Sequence, residues 1–299
     1  MKTALKGITL LFVTLLMFSC SSTSSNKLNS KFGGVQVGAI SYSFRSMPDQ
    51  SIPAIIGYYV ECGINSIELM GGPVEAYLGA PSIPRGEDQA PLREWRLSVS
   101  MDKFKEMKKL FDEQGIDIHI LKLGSHTWSD AEIDYAFNAA KAVGAKAICM
   151  EISEDAAKRM APFADKHNMY VALHNHAQPG DPNFSFDHML SFGKNLMLNF
   201  DAGHYFGSTG LHPNDLITRL HDRILSIHIK DKTSKNNVEP NQNRPFGEAE
   251  TPIYDILQLL KKEKWPIYVD IELEYQIPET SNAVIETAKC VEYLKKGLI

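Results

Sequence analysis

Residues 196–206, LMLNFDAGHYF, form an apolar run that stops at Asp201 and is followed three residues on by His204. Such a run, with a carboxylate and an imidazole at its end, fits a parallel strand buried on both faces that delivers polar groups at its C-terminal tip. Three other runs share the design. Residues 170–176 (YVALHNH) end in His174 and His176, residues 225–231 (LSIHIKD) carry His228, Lys230 and Asp231, and residues 267–274 (IYVDIELE) carry Asp270, Glu272 and Glu274. Four such strand ends in succession, separated by helix-like segments, predict one face of one site.

Outward from these runs, further strands are predicted at 35–42, 64–69, 116–123 and 145–150, with Glu68 and Glu151 at or beside two of their ends. Amphipathic or capped stretches predict intervening helices, among them 102–114 and 129–143; in the latter Ser129 and Glu132 form a capping box. Residues 71–98, rich in Pro and Gly, predict a long irregular loop. Eight strand–helix units in strict alternation between residues 35 and 299 predict an α/β fold, a (β/α)8 TIM barrel, whose chemistry sits at the C-terminal ends of the strands. A doubly wound open sheet is set aside because no GxGxxG or P-loop follows any strand.

At 299 residues and 43% hydrophobic, the chain is long enough for one large domain. Its net charge of −5 and its lack of a basic cluster argue against nucleic acid as a partner. Lys2 and Lys6 precede an apolar run at 8–18 that suits a signal-peptide core and is too short to span a bilayer. Cys20 follows Ser19 directly and precedes a Ser-rich stretch, so the N-terminus resembles a bacterial lipoprotein signal. That resemblance implies a signal peptide over 1–19, a lipid on Cys20, a tether over 20–34 and a single barrel over 35–299. Membrane contact would then be through the lipid alone, in the periplasm or at the cell surface. Cys62, Cys149 and Cys290 sit in apolar or helical contexts and are expected in the core.

Taken together, the later strand ends offer His174 or His176, Asp201, His228, and Glu272 or Glu274. Two imidazoles and two carboxylates converging from neighbouring strands make a nitrogen–oxygen site for a divalent ion such as Mn²⁺, Mg²⁺, Co²⁺ or Zn²⁺.

The motifs YVALHNH, NFDAGH, IHIKD with the later RPFGEA, and VDIELEY are similar to those of the xylose isomerase-like barrels over essentially all of residues 35–299. That family includes sugar isomerases, ketose 3-epimerases, inosose dehydratases and apurinic-site endonucleases; the acidic, exported chain does not suit the last branch. The resemblance implies His174, Asp201, His228 and Glu272 as metal ligands, His204 as a contact to substrate or metal, and Arg244 as a contact to a substrate oxygen. It further implies proton abstraction next to a carbonyl, with Glu272 as the base and His176 or Glu151 as its acid/base partner. His174 stands where the family usually has Glu. Loss of that carboxylate weakens two-base epimerisation and fits one-base isomerisation or β-elimination better, with Glu151 as the alternative source of a carboxylate.

Lys122 and Lys230 are candidates to stabilise oxyanion charge, Lys230 having the alternative of pairing with Asp231. Glu68 is expected to touch substrate, His126 and Trp128 to wall the pocket, and His119 to be a hydrogen-bonded core residue. Phe44, Tyr205 and Phe206 either stack on a sugar or cap the core. The leading expectation is a metal-dependent isomerase or epimerase of a sugar or keto-sugar. Its alternatives are a lyase or dehydratase acting on an oxidised sugar such as a 3-keto-glycoside, and a non-catalytic surface sugar-binding lipoprotein. Pairing into a homo-oligomer is expected from the family.

Overall fold

Capping residues punctuate the chain. Ser51 accepts the Ala54 N–H to start helix Ile52–Cys62, and Gly63, with left-handed φ of 70°, ends it. Ser129 and Glu132 form the reciprocal capping box expected from the sequence at the start of helix Asp130–Ala142. The computed structural model describes residues 28–84 and 86–299. The expected signal peptide, Cys20 and most of the tether lie outside the described residues.

Eight strands follow one another: β1 (Val35–Ile40), β2 (Ser66–Met70), β3 (Asp117–Lys122), β4 (Ala147–Glu151), β5 (Tyr170–His174), β6 (Leu196–Asp201), β7 (Ile224–Ile229) and β8 (Tyr268–Ile271). Each pairs in parallel with the next, and β8 pairs with β1 in the register Asp270 opposite Gly38, which closes the barrel. Two of the ladders slip by one residue, β2–β3 between Ile67 and Glu68, and β6–β7 between Leu198 and Asn199. The main core lies between sheet and helices and includes Tyr59, Phe104, Phe111, Phe137 and Phe200. A smaller apolar cluster, Ile120, Ala147, Cys149, Ala172, Met197 and Leu225, lies on the other face of the strands. The three expected core cysteines are buried and free.

Two expectations are corrected. Residues 71–98 are not a structureless loop but carry helices Gly71–Tyr77 and Ala90–Ser98. Arg96 joins them through a two-pronged contact to Glu75 (2.7 and 3.0 Å) and reaches Glu132 at 3.3 Å. Residues 30–32, which were expected to belong to a tether, pack against the barrel. Ser30 is buried with its Oγ donating to the Val37 carbonyl at 2.6 Å, and Lys31–Phe32 pairs antiparallel with the start of β1. Among the described residues, no helix is long and apolar enough to cross a membrane.

Closure of the barrel depends on a close approach at Gly38. A Cβ there would lie 2.3 Å from Asp270 Oδ1 and 2.8 Å from the Ser66 carbonyl oxygen, inside any tolerable contact. Gly38→Ala is therefore expected to lower stability by about 1–3 kcal/mol in urea unfolding, the usual effect of overpacking. Gly57→Ala, in a helix where nothing lies within 4 Å of the added carbon, should instead raise it by up to about 1 kcal/mol.

Candidate metal centre

The end of β6 sets the site. Asp201 is both the last residue of the strand and the N-cap of helix Ala202–Thr209, its Oδ1 accepting the His204 N–H at 2.7 Å. Its second oxygen, Oδ2, is thereby turned towards the barrel mouth. Asn175, fully buried, holds the Asp201 backbone from both sides. Its Oδ1 accepts the Asp201 N–H at 2.9 Å, and its Nδ2 donates to the Asp201 carbonyl at 3.1 Å. Sequence reasoning gave Asn175 no role, although its position between two strand-end histidines was a signal.

His174, Asp201, His228 and Glu272 each offer a ligand atom, and these atoms lie within 4.8 Å of one another in a wholly buried group. Asp201 Oδ2 and His174 Nδ1 are buried without a hydrogen bond. The Lys230 ammonium is 2.9 Å from Asp201 Oδ2, close enough to pair as an ion but poorly angled for a hydrogen bond. Burial pushes the His174 imidazole well below its usual range, which keeps it neutral and able to offer a lone pair. Two nitrogens, two carboxylates and two unmet buried acceptors fit a divalent cation of the Mn²⁺–Zn²⁺ range.

Lys230 is the unexpected member. Its Nζ lies 2.7 Å from Glu272 Oε2 and 2.6 Å from Glu274 Oε2 as well as near Asp201, and its side chain is 2% exposed. Burial alone would push the ammonium down, but the three carboxylates outweigh it and hold it charged. In the same way burial opposes ionisation of Glu272, yet Lys230 and His228 draw its carboxyl well below the usual range. The alternative of a Lys230–Asp231 pair is not realised. Asp231 instead accepts the N–H groups of Gly247, Ala249 and Thr251, fixing the loop that follows.

Above this group opens a cleft of about 230 Å³, walled by Tyr42, Met70, Lys122, Glu151 and His176 with Glu272 and Glu274 at its floor. His176 Nε2 is 2.8 Å from Glu151 Oε2, and Lys122 Nζ donates to Glu151 Oε1 at 2.9 Å. Burial would raise the Glu151 carboxyl, but His176 and Lys122 bring it to about 2, so it stays ionised. The hydrogen bond to Glu151, against the opposing effect of burial, raises His176. A cleft of about 270 Å³ at the other end of the barrel, lined by Trp265 and Tyr268, is at the face where barrel enzymes do not place their chemistry.

Several expected contacts are placed elsewhere. Glu68 is completely buried and hydrogen-bonded to His228, away from the cleft. Arg244 pairs with Glu239 and, like His126, is not among the residues that wall the cleft. Trp128 lies under the Arg96 guanidinium at 3.9 Å. Phe44 and Tyr205 pack in the core, against Tyr59 and Phe200. His204 stands beside the site with its Nε2 3.4 Å from Glu274 Oε2. His119 is the core histidine the sequence predicts, bonded to Ser66 and Asp270 and stacked on Tyr268. Tyr42 and Met70, to which the sequence gave no part in the site, wall the cleft.

Solved structures of the same architecture are numerous. A probable 3-DHS dehydratase, AsbF, from Bacillus anthracis superposes with a TM-score of 0.61 at 18% identity, covering 87% of this chain and 98% of its own. A sugar phosphate isomerase/epimerase from Parabacteroides distasonis gives 0.61 at 15% identity, covering 88% and 96%. The IolI protein, solved with a bound zinc atom, gives 0.58 at 14% identity, covering 89% and 99%. No curated protein matches the chain significantly. The sequence profile of the xylose isomerase-like TIM barrels matches residues 58–294, and the chain belongs to that family.

Proposed function

We propose that this protein is a divalent-metal-dependent enzyme that moves a proton next to a carbonyl of a sugar or keto-sugar, as an isomerase or epimerase does. The observation that carries this reading is the convergence of His174, Asp201, His228 and Glu272 under an open cleft. These four residues would hold the ion, which when bound would polarise a carbonyl and make the neighbouring C–H more acidic. Glu272 faces the cleft already ionised and takes the proton. His176, oriented by Glu151, stands across the cleft as the proton donor, and Lys122 supplies positive charge beside them.

Elimination from an oxidised glycoside is the second reading. It is favoured by His174 in place of a second carboxylate and by the His176–Glu151 pair, an acid placed to protonate a departing oxygen. The neighbour described as a probable dehydratase shares only the fold at its level of identity.

Metal analysis of the purified protein should find near-stoichiometric divalent ion, lost in Asp201→Asn and His228→Ala; little metal in the wild type after reloading with Mn²⁺, Co²⁺ or Zn²⁺ would sink the proposal. With the loaded protein, interconversion of an aldose and a ketose supports isomerisation, whereas an enone chromophore from a 3-keto-glycoside selects elimination. In either case His176→Gln should lower kcat by about 10²–10⁴-fold, the usual contribution of a positioned acid or base.

Lys230→Met tests the charge balance separately. Removing the ammonium takes away the cation that Asp201, Glu272 and Glu274 share, which in chelator should cost about 3–5 kcal/mol. A divalent ion should restore much of that loss and raise the thermal midpoint more than it does in the wild type. An equal rise in both proteins would mean that these carboxylates do not form the cation site.

Export and anchoring rest on residues 1–20 alone. Cells expressing the full chain should incorporate labelled fatty acid into it, and Cys20→Ser should abolish that labelling; labelling that persists would exclude Cys20 as the anchor.

A further inference from the structure

Glu68 sits where β2 slips against β3, in the register shift between Ile67 and Glu68. A one-residue slip re-aims the side chains around it. Here it brings His119 of β3 and Glu68 of β2 both into contact with groups inside the barrel. Glu68 Oε2 lies 2.7 Å from His228 Nε2 and accepts a second hydrogen bond from Asn199 Nδ2, also at 2.7 Å. Asn199 itself stands immediately after the other slip, between Leu198 and Asn199 in the β6–β7 ladder. Both irregularities of the barrel thus fall on the pair of residues that grips the back of one imidazole.

The front of that imidazole belongs to the candidate centre. His228 Nδ1 is 2.9 Å from Glu272 Oε2, and His228 is one of the four converging groups. An imidazole ligates through a nitrogen that carries no hydrogen, and the partner of the other nitrogen decides which one that is. An ionised carboxylate only accepts hydrogen bonds, and a carboxylate oxygen faces each ring nitrogen, so both nitrogens carry hydrogens here; a cation held by Glu272 would take the place of the one on Nδ1, while Glu68 keeps the one on Nε2. Glu68, His228 and Asp270 also lie within 4.8 Å of one another; Asn199 donates to one oxygen of Glu68, and His119 and Ser226 bond to one oxygen of Asp270. They form the hydrogen-bonded layer beneath the centre.

We infer that Glu68 is a positioning residue that sets the ligating nitrogen of His228 and strengthens it as a donor. The inference rests on the metal-dependent reading above. A carboxylate serving only to tie strands together would be expected to use both oxygens, yet Glu68 Oε1 is buried with no partner. Its whole hydrogen-bonding is gathered on the oxygen that faces His228. The negative charge matters as well as the geometry, because it increases the electron density of the imidazole and attracts a cation beyond it.

The test is Co²⁺ titration of the metal-free full protein, followed by calorimetry and by the visible ligand-field bands. Glu68→Gln keeps the size and an acceptor but loses the charge, and Glu68→Asp keeps the charge but withdraws the carboxylate by one methylene. Each is expected to bind Co²⁺ about 10–100-fold more weakly, the usual effect of removing an outer partner of a metal-bound histidine, with altered bands. The aspartate variant keeps the experiment decisive if the glutamine variant does not fold. Wild-type affinity and spectrum in a folded variant would overturn the inference while leaving the metal-dependent reading intact. A wild-type protein that takes up no Co²⁺ would overturn that reading, and the role of Glu68 with it. A lower thermal midpoint in chelator with unchanged Co²⁺ affinity would make Glu68 a structural residue only.

Discussion

A buried ammonium must be paired, and the mouth of this barrel is arranged around that requirement. Lys230 lies within 3 Å of carboxylates from two different strand ends, Asp201 at the end of β6 and the Glu272–Glu274 segment after β8. Its methylenes run beneath helix Ala202–Thr209, where a Cβ on Gly203 would come within 2.3 Å of Lys230 Cγ. The helix can press on the lysine only because position 203 has no side chain. Its N-cap is Asp201, so the same residue anchors the helix that covers Lys230 and pairs with its charge. From Lys230 the contacts continue through Glu272 to His228 and on to Glu68. One line of opposite charges therefore ties β2, β6, β7 and β8 together across the barrel.

That line crosses two of three polar tiers. Ser66, His119, Ser226 and Asp270 make the lowest, Glu68, Asn199 and His228 the next, and His174, Asp201, Lys230 and Glu272 the uppermost. Barrels of this kind more commonly fill the interior with branched aliphatic side chains. Here the inner apolar cluster is small and lies mainly on β3 to β7, while the main core is outside the strands. Stability comes chiefly from the sheet–helix layer, which leaves the interior free to hold an ordered set of charges. The arrangement has a geometric cost, visible at Gly38, where the strand must approach Asp270 too closely for any other residue.

The fold was legible because the strands are apolar runs and many of the helices are capped by local residues such as Ser51, Ser129 and Asp201. Those signals lie within a few positions of each other. That polar groups converge at the strand ends was legible for the same reason, since a polar residue at the tip of a buried strand has few places to point, whereas the choice of His174 over His176 and of Glu272 over Glu274 came from the family resemblance. What failed was much of what is decided across the barrel. Glu68 and Glu272 look alike in sequence, yet a register slip sends one behind His228 while the other faces the cleft. Lys230 beside Asp231 suggested a local pair, but the two point to different partners, as alternate residues of extended chain do. The helices within residues 71–98 were hidden because Gly71, Gly72 and Pro73 read as a turn, and the contacts that hold them come from Arg96 and from Glu132 and Tyr135 on a separate helix.

Five of the ten buried side-chain atoms without a hydrogen bond among the described residues lie inside the barrel, the others being on His204, Asn214, Asn241 and Thr287. His174 Nδ1 and Asp201 Oδ2 lie in the uppermost tier, Glu68 Oε1 and Asn199 Oδ1 in the next, and Asp270 Oδ1 in the lowest. Each such atom costs roughly 1–3 kcal/mol, so a column of them would be replaced by apolar side chains if stability were the only demand. The two uppermost atoms belong to the group that fits a cation. The carboxylates below them share another property. Glu68 and Asp270 each turn one oxygen to an imidazole and leave the other bare. A donor on the bare oxygen would draw charge away from the histidine. Leaving it unpaired keeps the full carboxylate charge available to His228 and His119, and it is this concentration of charge on one side that orients the histidines.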